Sequence, residues 1–164
     1  MECKQLYNLI EVNNKNNTKN LREVLNQLSS KKIKAKYLGK GYYKKAYLIS
    51  KNSKKYILKY YYRTNSLEAI KLDIASYNCV RKIAKRKFVK NYWDCGRWVL
   101  QKYYKGTSPN RKQADKFRKN LSKEISNLAT DFKASNLIVV SREEVRSFDT
   151  QVKKLKLLNY LIAS

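Results

Sequence analysis

Four polar side chains late in the chain have types and spacings that suit phosphate chemistry. Asp131, Lys133 and Asn136 stand in Thr130-Asp131-Phe132-Lys133-Ala134-Ser135-Asn136, directly before the apolar run Leu137-Ile138-Val139-Val140. That run is the length of one buried strand, and polar residues held against such a strand predict a site rather than a core. Asp149 follows an expected hairpin, Ser141 to Glu144, and a second short strand, Val145 to Phe148. A hairpin of that length brings Asn136 and Asp149 to neighbouring ends of paired strands. An amide and a carboxylate oxygen there suit Mg²⁺, which prefers carboxylate, amide and phosphate oxygens. Asp131 is left to orient an attacking hydroxyl, the division of labour found in phosphoryl transfer.

Anionic groups need cations, and the first half of the chain offers one in an unusual setting. Residues 35–62 read as three strands: Tyr37-Leu38 into Gly39-Lys40-Gly41, then Ala46 to Ile49, a polar turn at Lys51 to Lys54, and Tyr56 to Tyr62. Glycines at 39 and 41 let a backbone turn approach a phosphate without a Cβ in the way. Lys59 lies inside the third strand, where alternation turns Ile57, Lys59 and Tyr61 to one face and Leu58 and Tyr60 to the other. The next helix, about residues 67–85, has a stripe of Leu67, Ile70, Ile74, Tyr77 and Val80. Asp73 falls on that stripe, a natural partner for Lys59.

Further elements follow in order. A polar, asparagine-rich loop at residues 13–20 precedes a helix capped by Asn20, with Leu21, Val24, Leu25 and Leu28 on one face. A basic loop at Lys85 to Lys90 leads to strands at Tyr92–Cys95 and Trp98–Gln101, then a connector, Lys102 to Gly106. Ser108-Pro109 starts a helix with Pro at its first position, faced by Phe117, Leu121, Ile125 and Leu128. The tail from Val152 to Ser164, with Leu155, Leu157, Leu158, Leu161 and Ile162, reads as a packed helix or a partner-binding stripe.

Composition narrows the chemistry. The 164 residues carry no histidine, which removes Ser–His and Cys–His nucleophile systems and His-containing metal sites. Three scattered cysteines, Cys3, Cys79 and Cys95, predict reduced thiols rather than a zinc site or disulfide framework. The net charge is +26, from 38 basic and 12 acidic side chains. No acidic residue falls between Glu23 and Glu68, whereas Lys31 to Arg63 supplies twelve basic ones. Such a field favours polyanions: nucleotide phosphates, nucleic acid, an acidic protein or an anionic membrane surface. Neither a signal-peptide run nor an apolar stretch of roughly 20 residues is seen, so a soluble cytoplasmic protein is expected.

In this order the elements resemble the protein kinase superfamily over about residues 35–151, most specifically at Asp131 to Val139, which is similar to the kinase catalytic loop. The resemblance implies an α+β, protein kinase-like fold. Its N-lobe, residues 31–104, has a five-stranded antiparallel sheet and one packed helix, and its helical C-lobe, residues 105–164, is much reduced. Residues 1–30 form an N-terminal segment with an amphipathic helix. It further implies that ATP and Mg²⁺ are bound, with Gly39 and Gly41 over the phosphates. Lys59 takes the α/β-phosphates and pairs with Asp73, and Gln101, Lys102 and Tyr103 form part of an adenine-holding hinge. Asp131 becomes the catalytic aspartate, Lys133 a γ-phosphate contact, and Asn136 and Asp149 the metal ligands.

The departures are specific. Lys44 stands at the third glycine of the phosphate loop, and Ala129-Thr130 replaces the His-Arg before the catalytic aspartate. Asp149-Thr150-Gln151 replaces Asp-Phe-Gly, in the manner of the atypical Rio kinases. The 13 residues after Gln151 hold no counterpart of the activation segment, the Ala-Pro-Glu motif or the large helical lobe. Three functions stay open: a serine/threonine kinase-like phosphotransferase with an unidentified acceptor; a pseudokinase or nucleotide-binding regulatory module; and a basic RNA- or DNA-binding protein. The last draws on Tyr42-Tyr43, Tyr60-Tyr61-Tyr62 and Tyr103-Tyr104 set among lysines.

Overall fold

A computed structural model describes residues 3–15, 21–63, 67–121, 123, 125, 129–130, 137–141, 144–147 and 151–152. Of the tail expected as a C-terminal helix only Val152 is among them, in a short strand, and the rest lies outside, as do Asn20 and Leu128. The described residues form an α+β structure with four helices and a five-stranded antiparallel sheet. Contacts divide the chain into two compact units, one of residues 1–71 and 91–103, the other of residues 72–90 and 104–164.

The first unit is built on strands β1 (Lys34–Lys40), β2 (Lys44–Lys51), β3 (Lys54–Tyr61), β4 (Asn91–Cys95) and β5 (Trp98–Lys102), in the order β1-β2-β3-β5-β4. The β2–β3 turn is the tight one the sequence suggests: Lys51 pairs with Lys54 across Asn52 and Ser53, whose φ angles are 47° and 64°. Both lie in the left-handed region that two-residue hairpins require. Alternation then sorts the sheet into two faces. Tyr47, Ile49, Tyr56, Leu58, Trp98 and Leu100 share a buried cluster with Leu6, Leu9, Ile10, Val24 and Leu28 of two helices, α1 (Cys3–Lys15) and α2 (Leu21–Ser30). Each fully buried Leu or Ile in such a cluster contributes about 1.5–3 kcal/mol. The sequence places one amphipathic helix in residues 1–30, that of α2, so α1 is an addition to it. Its apolar spacing at positions 6, 9 and 10 makes a helical face, and the helix runs on through Asn13 to Lys15, residues that read as loop.

Helix α2 stops at a well-defined device. Ile33 donates its N–H to the Leu28 carbonyl (2.9 Å) and Lys32 donates to that of Ser29 (2.8 Å), while Lys32 sits at φ 57°. This is a Schellman motif with lysine where glycine is usual, and Leu28 and Ile33 meet in the core beneath it.

The second unit contains α3 (Leu67–Ile83) from Leu72 onward, α4 (Arg111–Lys119), and two small ladders, β6 (Ala129–Thr130) with β9 (Gln151–Val152) and β7 (Leu137–Val139) with β8 (Val145–Ser147). Its core joins Tyr77, Val80, Phe88, Ala114, Phe117, Leu121, Ile125 and Leu137. Leu67, expected on the buried stripe of α3, is 46% exposed in the helix's first turn. Helix α4 begins later than Ser108-Pro109 suggests. Asn110 is the cap, accepting from the Gln113 N–H (2.9 Å) while the Gln113 side chain accepts from the Asn110 N–H (3.0 Å). This reciprocal box satisfies two helix-end donors and outweighs the preference for proline at the first position. No described helix is long and apolar enough to cross a membrane. Among the described residues Cys79 and Cys95 are half-buried and form no disulfide.

Replacing Lys32 with glycine removes a left-handed strain of roughly 1–2 kcal/mol, partly offset by the greater freedom of glycine in the unfolded chain. Lys32→Gly is therefore expected to raise stability by about 0.5–1 kcal/mol, read as a higher urea midpoint; a lower midpoint would contradict this account of the helix end.

Candidate functional site

Lys59 occupies the middle of β3, between Ala46 on β2 and Val99 on β5. The register places it on the sheet face opposite the two N-terminal helices, and it is only 7% exposed. The sorting of Ile57, Lys59 and Tyr61 away from Leu58 and Tyr60 agrees with the strand alternation expected from sequence. An ammonium at this depth needs charge or hydrogen-bond compensation, which distinguishes Lys59 from the solvated lysines around it. Asp73, on the part of α3 in the second unit, is half-buried.

The glycine turn is tighter than an open phosphate cradle. Gly39, at φ 158°, adjoins a bulge in β1, while the Gly41 N–H donates to the Lys44 carbonyl (2.8 Å). That amide is therefore engaged within the turn. Lys44, standing at the third glycine position, carries its ammonium 5.0 Å from the centre of the Tyr61 ring.

The proposed hinge residues divide. Gln101 and Lys102 belong to β5, so the connector starts at Tyr103 rather than Lys102. Gln101 is buried and its side-chain amide donates to Asn91 Oδ1 (3.1 Å). Lys102 is exposed, and Tyr103 is half-buried with the Lys55 ammonium 5.7 Å from its ring centre.

Asp131, Lys133, Asn136 and Asp149 lie outside the described residues, but the strands that flank these stretches are described. Thr130 pairs with Gln151, and Leu137 pairs with Ser147. Asp131 is thus bonded to one ladder's end and Asn136 to the other's, while Asp149 is two residues from each ladder. The expected hairpin is present: Ser141 and Glu144 exchange backbone hydrogen bonds (both 3.3 Å). Among the described residues no cluster of three or more acidic, Cys or His side chains is arranged to hold a metal.

No protein-family model matches the chain, and no curated protein matches it. Its own scaffold is therefore the source of positional information.

That scaffold is dense around β7 and β8. Ser147, fully buried, donates its N–H to the Lys87 carbonyl (2.8 Å) and accepts from the Val89 N–H (2.9 Å). The Tyr77 hydroxyl donates to the Val89 carbonyl (3.0 Å), with the Ser147 carbonyl 3.3 Å away. On its other side β7 is held by the Val139 N–H donating to Thr107 (3.0 Å). Gly106 makes that approach feasible: a Cβ there would lie 2.1 Å from the Val139 carbonyl oxygen. Arg146 on β8 donates to the Tyr104 hydroxyl (2.7 Å) and pairs with Glu144.

Sequence reasoning placed Tyr77 on a stripe and Gly106 in a connector without seeing either role. A glycine in the connector, in a chain with only four, was the available signal.

Gly106→Ala forces backbone apart and should cost about 2 kcal/mol or more. Gly41→Ala, whose Cβ would meet only the Lys44 carbonyl oxygen at 3.9 Å, should change stability by less than about 1 kcal/mol. Urea unfolding of both variants reads the contrast, and equal midpoints would refute the close approach. Tyr77→Phe removes one buried donor and should destabilise by about 1–2 kcal/mol in the same assay.

Proposed function

We propose that the chain is an ATP-dependent phosphotransferase of protein kinase-like fold, transferring phosphate to a hydroxyl acceptor such as a serine or threonine. The observation that carries the reading is the pair of ladders framing the Asp131–Asn136 segment and Asp149. Thr130↔Gln151 at one side and Leu137↔Ser147 at the other tie both stretches at defined backbone points. Side chains meant to act on one phosphate need such anchoring, because positioning supplies much of phosphoryl-transfer catalysis. The buried Lys59 on a central strand of a five-stranded antiparallel sheet supports the same reading.

The donor set fits Mg-ATP in chemistry: a buried ammonium for phosphate oxygens, and an amide and a carboxylate for a hard cation. When bound, Mg-ATP supplies the phosphoryl group and the metal charge that offsets its oxygens. In this reading Lys59 neutralises the α/β-phosphates. Asn136 and Asp149 hold the metal, Lys133 balances charge at the γ-phosphate, and Asp131 orients the attacking hydroxyl and accepts its proton. Gly39, Gly41 and the stretch Gln101-Lys102-Tyr103 contribute nucleotide contacts, with the Gly41 amide already engaged by Lys44.

The test is incubation of the purified protein with Mg²⁺ and γ-labelled ATP. Lys59→Ala, Asp131→Ala and Asp149→Ala should each lower labelling or phosphate release by about 100-fold or more, with melting midpoints little changed. Full activity in both Lys59→Ala and Asp149→Ala would sink the assignment. Nucleotide-dependent stabilisation without transfer in the parent protein would make it a nucleotide-binding regulatory module instead.

A further inference from the structure

The β1–β2 turn and the end of β3 assemble an aromatic and cationic cluster that the phosphotransfer reading does not use. Tyr42 and Tyr43, at the tip of the turn, stand edge to face with ring centres 4.6 Å apart. The Arg63 guanidinium lies 4.5 Å from the centre of the Tyr42 ring and 6.0 Å from that of Tyr62. The Lys45 ammonium is 5.2 Å from the Tyr62 ring. Despite these neighbours Tyr42 keeps 67% of its surface in solvent and Tyr43 keeps 52%.

The cluster is held in place. The Tyr62 N–H donates to the Tyr43 carbonyl (3.0 Å), its hydroxyl donates to the Gly41 carbonyl (2.9 Å), and the Gly41 N–H closes the turn on Lys44 (2.8 Å). A turn backbone so fixed has less conformational freedom left to lose on binding. Among the described residues Arg63 makes ring contacts and no ion pair. The sequence from residue 24 to residue 67 contains no carboxylate side chain to neutralise the field.

Two exposed rings beside two cations suit a ligand with flat faces and closely spaced negative charges. We infer that this turn is a binding site for single-stranded nucleic acid, with unpaired bases stacking on Tyr42 and Tyr43 and phosphates drawn to Arg63 and Lys45. A base offers the π-face and the adjoining phosphate the charge. A duplex hides its base faces within the stack, and a sulfated polysaccharide has none, so neither can use the rings. The rings and cations of this cluster take no part in the phosphotransfer reading, which uses Gly39 and Gly41 of the same turn.

The experiment is fluorescence anisotropy with the full chain and labelled oligo-uridine or oligo-thymidine of about 12 nucleotides, within the usual single-strand site size. Heparin and a duplex of the same length serve as competitors. Tyr42→Ala/Tyr43→Ala should weaken binding by on the order of tenfold per ring, whereas Tyr42→Phe/Tyr43→Phe should stay within about threefold of the parent. Removing two exposed lysines of α4, Lys112→Ala/Lys116→Ala, should change affinity much less than removing the rings. The paired phenylalanine variant keeps the test decisive if the alanine variant proves unstable, since loss of affinity there would implicate the hydroxyls instead of stacking. The inference is overturned if the ring and α4-lysine variants lose affinity equally. It is equally overturned if heparin or duplex competes as well as single strand, because charge alone would then account for binding.

Discussion

The backbone of Ser147 is the constraint on which the arrangement of the second unit turns. Its N–H and carbonyl are both engaged by the Lys87–Val89 stretch, in a residue with no exposure. A buried peptide group without partners costs about 1–3 kcal/mol, so neither strand nor loop can slip without leaving polar atoms stranded. Tyr77 reinforces the lock from α3. Because β8 is fixed, β7 is fixed by pairing, and Thr107 and Gly106 close on the far side. The segments proposed to carry the chemistry leave from this block in both directions.

The first unit solves a different problem, how to place one buried cation in a sheet crowded with basic residues. Register does this. A shift of one residue in β3 would move Leu58 out of the apolar cluster and carry Lys59 into it. The cluster shared with α1 and α2 therefore determines which lysine lies on the opposite face. Other cations settle on aromatic rings, Lys44 on Tyr61 and Lys55 on Tyr103, where ring electrons provide some of the compensation that carboxylates cannot.

Local signals were the legible ones. Alternation gave β2 and β3, the Asn52-Ser53 turn joined them, and helical spacing gave Val24 and Leu28 on α2 and Ile70 to Val80 on α3. Helix α1 is hard to discern in the sequence because its polar end merges with an asparagine-rich stretch. The start of α4 departs from the Ser108-Pro109 expectation because the Asn110–Gln113 capping pair fixes the helix end just after the proline. The sequence carries no signal for Ser147 and only the residue type for Gly106, since their roles depend on peptide groups distant in sequence. The spacing of Asp131, Lys133, Asn136 and Asp149 suggested a site. What the structure adds is the pairing of the strands beside them.

The order of strands in the first sheet also governs how the chain is threaded. β3 and β5 are neighbours in the sheet but far apart in sequence, and their ladder closes a loop that includes residues 72–90. Those residues belong to the second unit, so each unit is interrupted by a piece of the other. No single cut can therefore release both units whole. Cleavage after Tyr103 would leave the first unit attached to a stretch bearing Tyr77, Val80 and Phe88, stripped of the cover that α4 and Leu137 provide. Covalent continuity makes the two units inseparable as independent fragments, and any attempt to produce one alone must contend with the exposed core of the other.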